Sequence, residues 1–146
     1  MGVVLSDMKV NFTIKTLALV SMMGFAGLAP SYADDETPLG EEMSTLSSSL
    51  KKLRKAKTTE DKVALVHTAQ EAALNSLKYL PIIFKEIKDE KEKAKATADY
   101  KMMSGQVYVK LCELELAYLA GDEEKADEIR GQLKDLKKEG HEKYTD

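Results

Sequence analysis

The sequence predicts an all-α chain folded as an antiparallel, up-down-up-down four-helix bundle, and three observations carry that prediction. Apolar residues recur at steps of three and four in four separate segments. Capping residues, prolines and a glycine punctuate those segments where helices should start and stop. No run alternates apolar and polar residues as a half-buried strand would. With 146 residues, 43% of them apolar and none tryptophan, the chain suits one compact domain plus a processing segment and excludes two large domains.

The first segment reads as an export signal rather than as part of the bundle. Lys9 and Lys15 supply a positive start, and Thr16 to Ala29 form a nearly unbroken apolar stretch of 14 residues before Pro30. Ser31-Tyr32-Ala33 then places small side chains where a signal peptidase accepts them, so cleavage is expected after Ala33, with Met8 as the expected true start. Fourteen residues rise about 21 Å as a helix, short of a hydrocarbon core of roughly 30 Å, which disfavours a membrane anchor. The domain organisation expected is thus a signal peptide over 1–33 and a soluble, periplasmic helical domain over 34–146 carrying a net charge of -4.

Thr37-Pro38 opens the first helix, because threonine can cap the first amides and proline lacks an N–H that the first turn does not need. Leu39, Met43, Leu46, Leu50 and Leu53 form its stripe, with acidic residues crowding the N-terminal end and basic residues the C-terminal end. Thr58 or Thr59 caps a second helix, striped by Val63, Val66, Gln70, Ala73, Leu77 and Leu80 up to Pro81. An irregular joint follows to about Glu92. The third helix carries Tyr100, Met103, Val107, Leu111, Leu114 and Tyr118 and stops at Gly121 in a left-handed position. Asp122 caps the fourth, with Ala126, Ile129, Leu133, Leu136 and Tyr144 inward. Short links between the first and second and between the third and fourth helices force antiparallel neighbours.

Composition removes several functions. Lys and Arg number 22 against 25 Asp and Glu, leaving no basic excess for nucleic acid. The single cysteine, Cys112, excludes an internal disulfide, a CxxC redox pair and thioether-linked haem, although it permits a disulfide-linked dimer. Phosphate-binding loops, a Gly-x-Ser-x-Gly elbow and a His-Glu-x-x-His pair are all missing from the sequence, so no enzyme is expected.

In a bundle of this topology the start of the first helix and the end of the last share one end. Met43 lies roughly 8 Å along the first helix from Pro38, and His141 lies five residues before the last residue, so the two should meet near one layer despite 98 positions of separation. A thioether facing an imidazole is the axial pair of a low-spin haem iron. The same residues also suit core filling and a helix-end charge complement. His67, two turns into the second helix, belongs to the far end and reads as structural or exposed; Met102 and Met103 point about 100° apart, and only Met103 follows the stripe.

The segment Glu41-Glu42-Met43-Ser44-Thr45-Leu46 with Leu50-Lys51, and the tail Gln132-Leu133-Lys134 through His141-Glu142-Lys143-Tyr144, resemble the two ends of the soluble periplasmic cytochrome b562 family. Ala72-Ala73-Leu74, Pro81, Asp99-Tyr100 and Ala120-Gly121 fall between them in matching order. The resemblance implies one non-covalent haem b with Met43 and His141 as axial ligands to its iron, and Leu46, Pro81 and Tyr100 packing the porphyrin. Lys137 stands where the family can have an arginine, implying a looser propionate contact, and Gly140 replaces an aromatic neighbour of the histidine. The expected function is electron transfer by a monomeric carrier that meets redox partner proteins through an acidic, salt-sensitive surface. The alternatives are a haem-free helical binding or stress protein of the periplasm and a small Met/His copper-binding protein.

Overall fold

A computed structural model describes residues 37–145; the export segment expected over 1–33 lies outside the described residues. Four helices follow one another, α1 (Pro38–Lys52), α2 (Thr59–Ser76), α3 (Glu90–Leu119) and α4 (Glu123–Tyr144), with a 3₁₀ turn over Ile82–Lys85 between α2 and α3. No strand occurs among the described residues. Successive helices pack side by side, α1 on α2, α2 on α3 and α3 on α4, which is the antiparallel bundle that the sequence predicts.

The helix starts follow from capping chemistry. The side chains of Thr37, Thr58, Asp89 and Asp122 each accept a hydrogen bond from the backbone N–H three residues on, satisfying donors that the first turn leaves unpaired. α3 ends in a Schellman arrangement: Asp122 N–H donates to the Ala117 carbonyl at 2.9 Å and Gly121 N–H to that of Tyr118 at 3.1 Å. Gly121 sits at φ 71°, where a side chain would clash with the backbone.

α2 is shorter than its sequence stripe. It stops at Ser76 rather than continuing to Leu80, and Lys78 N–H and Tyr79 N–H close tight turns on Asn75 and Ser76. Pro81 is the physical reason, since its ring disfavours helical geometry at Leu80, which is left exposed. Pro81 itself is buried and launches the 3₁₀ turn that drops Phe84 into the interior.

The core runs along the bundle axis. Leu46 and Leu53 of α1, Val66, Ala69 and Ala73 of α2, Leu111, Leu114 and Tyr118 of α3, and Ala126, Ile129 and Leu133 of α4 form one continuous buried cluster. The α2, α3 and α4 sets recur at three- and four-residue steps and Leu46 and Leu53 stand seven apart, so burial here is the helical period read as packing. No helix among the described residues is long and apolar enough to cross a membrane.

Leu111→Ala should lower the unfolding free energy by roughly 2–5 kcal/mol through the cavity it opens. Gly121→Ala should lower it by about 1–2 kcal/mol through its left-handed backbone. Urea titration followed by circular dichroism reads both.

Candidate functional site

Lys137 of α4 donates a hydrogen bond from Nζ to Ser47 Oγ of α1 at 2.9 Å, which links the first and last helices. Met43 lies four residues before Ser47, and His141 four residues after Lys137. In antiparallel helices these two steps run toward the same end of the bundle, and each advances one turn, about 6 Å. Met43 and His141 therefore lie toward the same end of the bundle. A four-residue step also turns the helix only about 40°, so Met43 lies near the Ser47 face of α1 and His141 near the Lys137 face of α4.

Neither residue is buried, although Met43 follows the apolar stripe of the first helix in the sequence. Met43 is 37% exposed and His141 is exposed. On α1 the line toward the interior passes through Leu46, Ser49 and Leu53, and Met43 sits about 60° from Leu46. The pair borders the seam between α1 and α4, where the helices make no close approach comparable with those of the other neighbouring pairs.

The residues beneath that seam are buried. Leu46 closes it from α1, and Pro81 and Tyr100 sit at the same end, with Phe84, Tyr100 and Tyr144 forming a three-ring cluster. The ring centroids lie 5.4 Å apart for Tyr100 and Tyr144, 5.6 Å for Phe84 and Tyr144, and 6.0 Å for Phe84 and Tyr100, all edge to face. Met103 closes the α3 side: a methyl group added at Gly140 would lie 3.5 Å from its Sδ. A methyl group at this position, beside His141, would meet the Met103 thioether at ordinary contact distance. Phe84 and Met103 are neighbours of the site that sequence reasoning did not assign to it. Phe84 gave no signal, because the joint that carries it has no period, while Met103 was legible as an inward residue of α3 but not as a neighbour of His141.

The last turn of α4 is held from outside. Tyr144 donates its hydroxyl proton to Asp99 Oδ2, and Lys143 Nζ stands 3.5 Å from the same oxygen and 2.9 Å from Glu139 Oε1. Burial and the Asp99 carboxylate together push the Tyr144 phenol well above its ordinary range. A helix end normally frays; here three side chains fasten the turn that carries His141.

Tyr100 differs. Its hydroxyl is buried without a hydrogen bond of ordinary geometry. Burial raises its pKa, and the nearby Ser104 and Ser76 hydroxyls draw the value part of the way back. A buried phenol with unspent hydrogen-bonding capacity, at the end of the bundle where α1 begins and α4 ends, suits a flat apolar group that brings polar edges with it. The donor set, the loosely closed seam and this hydroxyl all fit a porphyrin.

His67 lies elsewhere, as its place in α2 predicts. Its Nε2 pairs with Glu115 Oε1 at 2.8 Å, and Gln70 Nε2 donates to Glu115 Oε2 at 2.8 Å and approaches Cys112 Sγ at 3.7 Å. These contacts, the His67 hydrogen bond first, hold the Glu115 carboxyl below its usual range. Among the described residues no group of three or more His, Cys, Asp or Glu side chains is arranged to hold a metal ion.

The family model for cytochrome b562 matches residues 38–145. No curated protein matches the chain.

Removing the Tyr144 hydroxyl tests the fastening of α4. A phenol whose pKa is raised on folding contributes stability that is complete below about pH 10 and fades as pH climbs toward its folded value. Wild-type melting temperature should therefore drop more between pH 9 and pH 11 than that of Tyr144→Phe. Asp99→Asn should speed amide exchange in residues 139–145 while leaving α2 unchanged.

Proposed function

Because the chain belongs to the cytochrome b562 family, whose members are haem-binding electron carriers without catalytic activity, we propose that it binds one haem b non-covalently, ligated axially by Met43 and His141, and serves electron transfer in the periplasm. The observation that supports this reading is the Lys137–Ser47 hydrogen bond between α1 and α4, made one helical turn from Met43 and one from His141.

Each residue then has a task. His141, as the neutral imidazole, offers a nitrogen donor that serves both iron oxidation states, and Met43 offers a soft sulfur that favours the ferrous one. Leu46, Pro81 and Tyr100 supply the buried wall against which an apolar plate lies, and they keep water from it. Lys137, now spent on Ser47 at the mouth of the seam, has a mobile ammonium suited to a carboxylate that displaces the serine. Bound haem supplies a metal centre that changes oxidation state by one electron, and two protein ligands leave no open position for a substrate. The net acidic chain favours basic redox partners in brief encounters that weaken as salt rises.

Titrating the purified protein with hemin and reducing it should produce the sharp bands of low-spin, six-coordinate haem. Met43→Ala and His141→Ala should each abolish the six-coordinate spectrum while far-ultraviolet circular dichroism stays unchanged, since both side chains lie outside the packed core. No spectral change with the wild-type protein would favour the haem-free helical protein, and stoichiometric copper uptake in its place would favour the metal-binding alternative.

A further inference from the structure

The turn that joins α1 to α2 gathers positive charge that the fold leaves unpaired. Residues 44–59 hold Lys51, Lys52, Arg54, Lys55 and Lys57 and no acidic residue; the domain over 34–146 carries -4 in all, so its remainder carries -9. All five side chains are exposed, and none makes an ion pair or a hydrogen bond among the described residues. By contrast Lys62, Lys110, Lys125 and Arg130 each hold a carboxylate. The backbone beneath the five is fixed: Leu53, 2% exposed, pins the end of α1 in the core, and the Lys55 and Ala56 N–H groups both donate to the Lys52 carbonyl, at 2.9 and 3.2 Å. Helix polarity accounts for a fraction of this charge. A helix C-terminus is equivalent to roughly half an elementary charge, and of the five only Lys51 and Lys52 lie in the last turn of α1. The acids at the same end of the bundle are already matched, since Glu60, Asp61 and Glu124 stand in the first turns of α2 and α4 and Glu123 pairs with Lys62 at 2.5 Å.

From this excess we infer that the α1–α2 turn is a docking surface for a lipid membrane with anionic headgroups, bound reversibly and through charge alone. The make-up of the run selects lipid over protein. Specific protein interfaces have an apolar, desolvated centre and are poor in lysine. Here four of the five cations are lysines, and the apolar residues among them are withdrawn, Leu53 buried and Ala56 half-buried. Hydrated point charges on flexible stems, without a fixed geometry, suit fluid headgroups that gather around them. The acidic remainder of the domain is repelled by the same surface, so the bundle stands on this turn. Lys52 lies nine residues beyond Met43, about 14 Å along α1, which keeps the end of the bundle that holds Met43 and His141 away from the lipid. No helix among the described residues is long and apolar enough to cross a membrane, so contact stays at the headgroups. A soluble domain is the expectation from sequence, and a polybasic contact without an acyl chain respects it, because such binding releases as salt rises.

Vesicle flotation of the full chain tests the inference apart from the haem reading, since neither Met43 nor His141 belongs to the turn and protein without hemin should bind alike. Vesicles of equal parts phosphatidylglycerol and phosphatidylcholine should carry the chain at about 20 mM salt and lose affinity at about 500 mM, and phosphatidylcholine alone should bind it more weakly. Each cation near an anionic surface is worth about fivefold in affinity, so Lys55→Gln with Lys57→Gln should weaken binding to the anionic vesicles about 25-fold. Both residues lie outside the helices and are exposed, so the helical dichroism should be retained. Lys91→Gln with Lys95→Gln in α3 changes the net charge equally and should leave binding unchanged. The apolar stretch over 16–29 is common to every variant, so differences among them report the substituted charges. Equal binding to both kinds of vesicle, or equal losses from the two double variants, overturns the proposal. Retention on immobilised polyglutamate without vesicle binding also overturns it, and assigns the turn to an acidic protein instead.

Discussion

The register of α4 against α1 is the constraint on which the rest of this molecule depends. Those two helices are the most distant in sequence, and a short polar contact from Lys137 to Ser47 ties them together across a seam that apolar packing leaves loosely closed. A shift of one turn, about 5.4 Å, would carry Met43 and His141 past one another. The separation of these two residues therefore relies on the whole bundle, since α1 and α4 are each held by the neighbours between them. Exposed, a single lysine–serine contact contributes little stability; what it specifies is alignment.

The aromatic cluster at the same end provides the rigidity that the seam lacks. Phe84 arrives from the 3₁₀ turn, Tyr100 from α3 and Tyr144 from α4, so three separate elements converge on one packed trio. Tyr144 is held further by Asp99, which places the final turn of α4 under side-chain control. The outcome is a helix end with a defined position immediately beside an accessible histidine. Rigid support of that turn limits how far the imidazole beside it can move.

Substitutions around the histidine are coupled in space. Gly140 has no side chain to place toward α3, and Met103 brings its thioether to that point. The interior at this level is thus filled by a flexible sulfur-containing side chain, which adapts to the shape of whatever packs against it. Lys137 instead of a planar guanidinium keeps the mouth of the seam cationic, yet leaves it free of a fixed fork geometry.

Much of the fold was legible in the residues themselves because helix formation is local. Thr37-Pro38, Thr58, Asp122 and Gly121 mark their boundaries through backbone hydrogen bonds made within a few positions, and the structure places those caps where the sequence does. The stripes of α3 and α4 likewise translate into burial, with Val107, Leu136 and Tyr144 half-buried. α2 ends earlier than its stripe because an exposed Leu80 follows the pattern without any partner to reward it, and Pro81 decides the matter. For the site, the chain determined its candidates, Met43, His141, Leu46, Pro81, Tyr100 and Lys137, through helical spacing and family likeness. Tertiary structure alone decided that the first two stand at the rim of a seam, that Phe84 and Met103 join the site, and that Asp99 anchors its last turn. Periodicity reports which face of a helix turns inward; rotation at the margin of that face, and contacts between residues almost a hundred positions apart, depend on how four helices settle against each other.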